Sequence, residues 1–241
     1  MMCFVDPVAM DGPSPVVIGH RGAAAVAPAN TLAGLQAGVA AGAAAIEFDV
    51  GPDLRLAHSA REVPDDAITL DAALEFLRAA GVGIHLDAKL PGYEEALVAA
   101  VRRHGVEDRT FVSTAWAVTT RRLELLAPAL PRAIGYPRDR YGVSRRLRFA
   151  APLRRVGAGA WGSVMPLRVP LLLARSRATV LSLHHSLCSP HAVAAAHRAG
   201  APVVAWTVND PSLVRRVAAA GVDAVVTDDP AMAARTLASE R

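Results

Sequence analysis

The sequence has few cysteines, few aromatic residues and almost no lysine, and the first two scarcities each argue against a class of protein. Two of the 241 residues are cysteines, Cys3 and Cys188, and no Cys/His spacing typical of zinc sites surrounds them. This pattern predicts two free thiols in a reducing compartment and no structural zinc. Aromatic residues make up 5% of the chain, and with no recognised nucleic-acid motif we expect no binding to nucleic acid. Lys89 is the only lysine, so its position is informative.

Long apolar runs are missing as well. Glycine, proline or a charged residue interrupts every apolar stretch well before the roughly 20 residues that a membrane-spanning helix needs. Residues 1–15 contain no basic stretch followed by an apolar one, so they do not resemble a secretory signal. We therefore expect residues 1–15 to form an N-terminal tail. We also expect the protein to be cytoplasmic, with a peripheral membrane attachment as its closest approach to lipid.

What the sequence does contain is a regular alternation of two patterns. Hydrophobic residues make up 52% of the chain, which is enough for a large core. Short β-like runs alternate with Ala/Leu-rich helical runs through residues 16–241, and eight such units predict an α/β protein with one (β/α)8 TIM-barrel domain. An open doubly wound sheet is the alternative, and the lack of a Gly-rich dinucleotide motif argues against it. The predicted strands are Val16–Gly19, Ala45–Val50, Val82–Ala88, Thr110–Thr114, Ala133–Tyr136, Thr179–His184, Pro202–Val208 and Ala224–Thr227.

One segment interrupts this alternation. Residues 137–177 contain ten arginines and a single acid, Asp139, so the segment carries a formal charge of 10 − 1 = +9 in a chain of net charge +4. Bulky apolar residues such as Phe149 and Trp161 lie among the arginines. This composition predicts a basic, apolar helical segment that suits an anionic membrane surface, and the alternative is a solvated pair of basic helices.

Polar residues that could do chemistry collect where the predicted strands end, and in a parallel barrel those ends form the active-site face. Glu47 and Asp49 are two residues apart on one strand, so both side chains point to the same face. Asp87 adds a third carboxylate on the next strand. Buried carboxylates need compensating positive charge. The group therefore predicts a hard divalent cation such as Mg²⁺ or Ca²⁺, or a salt-bridge cluster with Arg21 and Lys89, or both.

Histidines lie at the same strand ends. His20 follows the first strand and His58 ends the arm after the second, and both are candidates for acid–base catalysis because histidine titrates near neutral pH. His85 lies deeper on the third strand, so we expect it in the core or behind the ligands. His184 and His185 end the sixth strand. Neighbours on a strand point in opposite directions, so either of these two could face the pocket.

In their order along the chain, these residues resemble the glycerophosphodiester phosphodiesterase family. The resemblance spans residues 18 to 230, and its short motifs are specific only in combination. The motifs are His20-Arg21-Gly22, Pro28-x-Asn30-Thr31, Ile46-Glu47-x-Asp49-Val50, His58, Asp87-x-Lys89, Trp206-Thr207-Val208-Asn209, Gly221-Val222-Asp223 and Thr227-Asp228-x-Pro230.

This resemblance implies a (β/α)8 barrel that hydrolyses glycerophosphodiesters to glycerol 3-phosphate and an alcohol. In the family, the substrate's own glycerol hydroxyl is thought to attack the phosphorus and give a cyclic phosphate that water then opens. The site residues that the resemblance implies are Glu47, Asp49 and Asp87 for a bound Mg²⁺ or Ca²⁺, His20 and His58 for acid–base catalysis, and Arg21, Lys89 and Trp206 for the substrate.

The sequence also departs from the family pattern. Ala29 and Asp87 stand where the family usually has glutamate, and Ser59 stands where it usually has aspartate. The carboxylate of Asp87 is thereby drawn back by roughly 1.5 Å, so a water could bridge it to a metal. The segment from Asp49 to His58 is short and the insertion common after it is missing, which predicts an open pocket for bulkier substrates such as lysophospholipids. The alternatives are a related lyase that stops at the cyclic phosphate and a non-catalytic barrel that binds phosphate esters.

Overall fold

A computed structural model describes residues 14–59, 63–137 and 151–240, and within residues 151–163 it describes the backbone alone. Eight parallel strands close into a barrel in chain order, with the first strand paired to both the second and the eighth. This topology confirms the predicted single-domain (β/α)8 barrel. The strands are β1 (Val16–Gly19), β2 (Ala45–Val50), β3 (Gly83–Ala88), β4 (Thr110–Thr114), β5 (Arg132–Tyr136), β6 (Val180–His184), β7 (Val203–Trp206) and β8 (Ala224–Thr227).

A helix follows each strand on the outside of the barrel. The helices are α1 (Leu32–Ala40), α2 (Leu70–Ala80), α3 (Glu94–Arg103), α4 (Ala117–Leu126), α5 (Ala151–Ser176), α6 (Pro190–Arg198), α7 (Pro211–Ala219) and α8 (Pro230–Ala238). A side-chain oxygen caps five of them by accepting a backbone N–H of the first turn, which removes an unpaired donor. The capping residues are Thr31, Thr69, Ser189, Asp210 and Asp229.

Five strand boundaries differ from the predictions by one or two residues, at the starts of β3, β5 and β6 and at both ends of β7, and helix α8 was not predicted. Strand β7 begins at Val203 and not at Pro202, because proline has no N–H for the strand ladder. It ends at Trp206, so the predicted Val208 lies beyond it. Helix α8 was not assigned from the sequence, although Asp229 is its N-cap and Pro230 occupies its first turn, a pairing that marks helix starts.

The barrel interior is filled by buried side chains from seven of the eight strands, two of them from β8. These residues are Ile18, Ala45, Phe111, Ala133, Val180, Val204, Ala224 and Val226. Alternate residues of a strand point the same way, so positions two residues further along also point inward, nearer the carboxyl ends. Those positions include His20, Glu47, Ser113 and Trp206. The strand ladder therefore delivers polar side chains into one mouth of the barrel.

Helix α5 is much longer than the others. It has 26 residues, which corresponds to about 39 Å, whereas the other seven α-helices in the described ranges have 9–11 residues each. The buried Met165, Val169 and Leu173 pack its inner face against the barrel. Residues 138–150 of the predicted basic segment lie outside the described residues. In the part of the chain that the structure describes, no helix is long and apolar enough to cross a membrane.

Candidate active site

The loop after β1 brings the backbone and an arginine over the barrel mouth. Arg21 and Gly22 both have positive φ, 51° and 93°. Glycine is needed at the second position, because a Cβ on Gly22 would come within 2.1 Å of the Gly34 carbonyl oxygen in helix α1. This turn directs the Arg21 backbone N–H at Glu47 Oε2, at 2.8 Å. The His-Arg-Gly motif thus joins β1, α1 and β2 at a single point.

Three carboxylates meet at the mouth, as the sequence predicted. Glu47 and Asp49 lie on β2 opposite His85 and Asp87 of β3 in the strand register. One oxygen from each of Glu47, Asp49 and Asp87 lies within 4.8 Å of the other two. Glu47 and Asp49 are buried, whereas the Asp87 side chain is 26% exposed.

Two cations lie among these carboxylates. Lys89 Nζ is 2.5 Å from Asp49 Oδ1 and 2.6 Å from Asp87 Oδ2, so the only lysine bridges two of the three acids. Arg21 Nε is 2.9 Å from Asp49 Oδ2, but its N–H is not directed at that oxygen, so the contact is an ion pair without a hydrogen bond. Burial disfavours the charged ammonium, yet the negative charges of Asp87, Asp49 and Glu47 raise the Lys89 pKa well above its usual range.

Asn30 fixes Asp49 from both sides. The Asn30 amide nitrogen donates to Asp49 Oδ2 at 2.9 Å, and its oxygen accepts the Asp49 backbone N–H at 3.0 Å. Burial alone would raise the Asp49 pKa, but Lys89, a hydrogen bond with His58, and Arg21 together lower it strongly. Asp49 is therefore the member of the cluster whose ionised form is most favoured, and Asn30 holds it in one orientation.

Glu47 is in the opposite electrostatic situation. Burial and the charges of Asp49 and Asp87 outweigh the opposing charges of His20 and Lys89 and raise the Glu47 pKa to about 7. A raised carboxyl pKa indicates that the nearby positive charges do not fully compensate the ionised form.

The residues present fit a hard divalent cation. Oxygens on opposite sides of a Ca²⁺ with bonds of about 2.3–2.6 Å are roughly 4.6–5.2 Å apart, and the three carboxylates lie within 4.8 Å of one another. Such an ion would also compensate the negative charge of ionised Glu47. Asp87 reaches this spacing although its side chain is one carbon shorter than glutamate.

The two predicted acid–base histidines flank the cluster. His58 Nδ1 is 2.8 Å from Arg21 Nη2 and 3.2 Å from Asp49 Oδ2, and its side chain is 63% exposed. His20 Nδ1 is 2.5 Å from Asp228 Oδ1, and its Nε2 is 3.9 Å from Glu47 Oε2. Burial lowers the His20 pKa, but the Glu47 charge and the Asp228 hydrogen bond outweigh it, so the net shift is upward.

The other wall of the mouth is formed by β6 and β7. Trp206 and His184 are direct neighbours in the strand register, with ring centroids 5.3 Å apart in an edge-to-face arrangement. His185 lies in the 3-10 turn after β6, with its ring centroid 4.2 Å from that of His184 and Arg216 Nη2 2.9 Å from its Nδ1. Of the two histidines left open by the sequence, His184 therefore sits beside Trp206 at the mouth.

Sequence reasoning assigned no role to several residues that hold the site. Asn30 and Asp228 stand inside recognised motifs, but their partners lie 19 and 208 residues away along the chain. Asn209 anchors Asp228 by accepting its backbone N–H at 2.9 Å and by contacting its carboxylate. Their positions inside motifs could have marked Asn30 and Asp228 as site residues. The motifs do not reveal that Asn30 contacts Asp49 or that Asp228 contacts His20.

Comparison with known proteins agrees with the fold and identifies the family. The sequence model described as the glycerophosphoryl diester phosphodiesterase family matches residues 20–51 and 53–232. The chain therefore belongs to this family of phosphoric diester hydrolases. A glycerophosphodiester phosphodiesterase from Caldanaerobacter subterraneus is 24% identical over 257 residues, which cover 89% of this chain and 94% of the relative.

Solved structures show the same barrel. A protein from Silicibacter pomeroyi superposes with a TM-score of 0.76 at 24% identity and covers 95% of each chain. A phosphodiesterase from Oleispira antarctica, solved with the product sn-glycerol-3-phosphate, superposes with a TM-score of 0.72 at 22% identity and covers 93% of this chain and 97% of its own. At these low identities, the superpositions establish the fold alone.

Proposed function

We propose that this chain hydrolyses glycerophosphodiesters to glycerol 3-phosphate and an alcohol, with Mg²⁺ or Ca²⁺ held by Glu47, Asp49 and Asp87. The observation that carries the proposal is the convergence of these three oxygens within 4.8 Å, flanked by two histidines. Family membership supports the reaction class. The sn-glycerol-3-phosphate bound to the Oleispira antarctica phosphodiesterase supports the glycerol 3-phosphate half of the substrate.

The charge balance of the cluster supports a bound dication. When all three carboxylates are ionised, they and the two cations Arg21 and Lys89 sum to −3 + 2 = −1, which would repel a phosphodiester anion. A dication changes this sum to +1, which attracts the anion. When bound, such an ion neutralises charge on the phosphoryl oxygens. Lys89 and Arg21 are placed to share that role.

Proton transfer falls to the two histidines. We assign one of them to remove the proton from the substrate's glycerol hydroxyl as its oxygen bonds to phosphorus. The other protonates the alcohol oxygen as its bond to phosphorus breaks, and the roles reverse when water opens the cyclic phosphate. His58 Nδ1 lies between Arg21 Nη2, a donor, and Asp49 Oδ2, an acceptor. It therefore has a partner whether it carries a proton or not.

Trp206 is proposed to contact the organic part of the substrate. It points into the mouth with the inward-facing residues of β7, on the wall across from the carboxylates. A large ring provides apolar contact area without adding charge. The phosphate would then lie between Trp206 and the charged wall.

Activity on a panel of diesters tests the proposal. Wild type should cleave glycerophosphocholine or lysophospholipid with Mg²⁺ or Ca²⁺ and lose activity with chelator. His20→Ala and His58→Ala should each lose about 100-fold or more, whereas His191→Ala, on an exposed face of α6, should retain activity. A His20→Ala rate equal to wild type would reject catalysis and favour a phosphate-ester-binding barrel. Phosphorus NMR that shows only cyclic phosphate would favour the lyase.

A lipid substrate at an anionic membrane is favoured by the outer face of α5. Opposite its packed face, Leu167 is 82% exposed and Leu171 is 52% exposed. Arg168 and Arg175 share that face, and residues 164–178 contain no acid. Apolar side chains interspersed with arginine suit lipid headgroups. Because α5 follows β5, it starts on the side of the catalytic mouth.

Co-sedimentation with liposomes tests this second proposal. Wild type should bind vesicles that contain phosphatidylserine more than neutral phosphatidylcholine vesicles, and the double change Leu167→Asp with Leu171→Asp should abolish the difference. Leu125→Asp is the matched control, because Leu125 is 74% exposed and lies on α4, outside the proposed membrane-binding helix. Equal binding to both vesicle types, or none, would reject a membrane surface for this enzyme.

A further inference from the structure

A chain of hydrogen bonds lies behind Asp87, the third carboxylate of the cluster. Ser113 Oγ donates to Asp87 Oδ1 at 2.6 Å, and His85 Nε2 lies 2.8 Å from the same Ser113 oxygen. Ser113 is paired with Asp87 in the register of β3 and β4. All three side chains therefore lie on the inner side of the barrel, one behind the other.

The direction of these hydrogen bonds follows from the number of protons. The Ser113 hydroxyl has one proton, which goes to the carboxylate of Asp87. Its oxygen can then only accept from His85, so Nε2 must carry the imidazole proton. His85 Nδ1 is buried without a hydrogen-bond partner among the described residues, as expected for a neutral ring with Nε2 protonated.

Packing holds the far end of the chain. The His85 ring stacks on Phe111, with centroids 4.0 Å apart and planes 21° from parallel, and both residues are buried in the barrel interior. A ring fixed in this way presents its N–H in one direction. Ser113 is thereby oriented toward Asp87, since the hydroxyl would lose its donor if it turned away.

Asp87 is the carboxylate that most needs this support. Its side chain is 26% exposed, compared with 5% for Glu47 and 1% for Asp49. Packing therefore restrains Asp87 least. Its two oxygens are held by Ser113 and by Lys89, at 2.6 Å each.

We propose that Ser113, oriented by His85, is a positioning residue that holds Asp87 in the geometry for binding the divalent cation. The proposal rests on the cation site of the proposed function. Part of the affinity for the cation would then depend on Ser113 and His85, which do not contact the cation themselves. A hydrogen-bonded partner behind a metal ligand typically changes metal affinity by about 10- to 100-fold.

The direct test is calorimetric titration of the full chain with MgCl₂ and with CaCl₂, without substrate. Ser113→Ala should weaken the binding that wild type shows by about 10- to 100-fold. Ser113→Thr keeps the hydroxyl and should stay within about threefold of wild type. Ser182→Ala is the matched control, because Ser182 is also a buried serine on an inward-facing strand position, on β6, and should leave affinity unchanged.

Activity as a function of cation concentration separates positioning from damage to the fold. Ser113→Ala should need more cation for half-maximal activity and still approach the wild-type plateau. A purely structural role would lower the plateau, which added cation would not restore. His85→Phe keeps a ring to stack on Phe111 but removes the N–H donor, so it should shift the half-maximal concentration in the same direction by less than Ser113→Ala does.

The outcomes distinguish this inference from the function itself. If wild type binds a cation and Ser113→Ala binds it within twofold of wild type, the positioning role is wrong and the cation site stands. If wild type binds neither cation, both proposals fail. If Ser113→Ala does not fold, the comparison of His85→Phe with wild type decides. An unchanged cation affinity in His85→Phe would reject the positioning role.

Discussion

His20 Nδ1 and Asp228 Oδ1 lie 2.5 Å apart, at the ends of β1 and β8, the two strands that close the barrel. Burial would raise the Asp228 pKa, but His20 and the Asn209 amide lower it, so Asp228 stays ionised beside the imidazole. The carboxylate orients the ring so that Nε2 faces the cluster. In the proposed acid–base role of His20, it would also stabilise the imidazolium.

Replacing this carboxylate should therefore change the pH dependence of catalysis. Asp228→Asn removes one of the groups that raise the His20 pKa, so the part of the pH–rate profile controlled by His20 should move to lower pH. The maximal rate should fall by about 10- to 100-fold because the imidazolium loses its partner.

Asp66→Asn is the control for this change, since Asp66 is an exposed loop residue. Its pH–rate profile should overlay that of wild type. A profile for Asp228→Asn that keeps its wild-type midpoint, with only the rate reduced, would show that Asp228 orients the ring without setting its proton affinity.

Glu47 should make stability depend on pH when no divalent cation is present. Its pKa is raised from 4.5 to about 7 in the folded chain by burial and by the neighbouring acids. Between these values the folded state holds a proton that the unfolded state has released, so stability falls as pH rises from about 5 to about 7. The slope for a single proton is at most about 1.4 kcal/mol per pH unit.

Chemical denaturation at several pH values with EDTA measures this effect. The difference between wild type and Glu47→Gln should change with pH in that window, and Glu75→Gln, an exposed change on α2, should run parallel to wild type. Added Mg²⁺ or Ca²⁺ should flatten the wild-type curve, since the cation stabilises the ionised carboxylate. Parallel curves for Glu47→Gln and wild type would contradict the burial argument.

Much of this architecture follows from local pattern. The alternation of apolar strands and helices predicts the barrel, and the spacing of Glu47 and Asp49 predicts two carboxylates on one inner face. Position at strand ends predicts that Asp87 and Lys89 join them. These inferences work because periodicity and strand direction are properties of short segments.

The supporting contacts do not follow from local pattern. Asn30 with Asp49, Ser113 with Asp87, and His20 with Asp228 are separated by 19, 26 and 208 residues. Each pairing depends on strand register and barrel closure, which sequence spacing does not encode. The length of α5 was also beyond reach, because Pro166 and Pro170 inside it are signals that ordinarily end a helix.

Lys89 should stabilise the cation-free fold. Lys89→Met leaves Asp49 and Asp87 close together without their shared ammonium, and removal of one partner from a buried ion pair costs about 3–5 kcal/mol. Urea denaturation with EDTA should show a loss of that order. Saturating divalent cation should restore part of it, because the ion supplies positive charge to the folded state.

Arg102→Met provides the comparison, since the Arg102–Glu107 pair is exposed and such pairs contribute about 0–1 kcal/mol. Equal losses for Lys89→Met and Arg102→Met would show that water screens the Lys89 cluster as fully as the surface. A loss for Lys89→Met that cation does not reduce would show that the lysine acts mainly through packing.

The His-Arg-Gly loop approaches helix α1 closely at Gly22. Gly22→Ala adds a Cβ at a φ of 93° and within 2.1 Å of the Gly34 carbonyl oxygen. Gly42→Ala is a matched control, because Gly42 has a similar φ of 78° but nothing within 4 Å of the added Cβ. Gly42→Ala should cost about 1 kcal/mol of stability from backbone strain alone, with activity retained.

Gly22→Ala should cost more in urea denaturation and should also lower kcat, because the loop that carries His20 and Arg21 must shift away from α1. Equal stability losses with equal activity in the two variants would mean that the loop can move without disturbing the site.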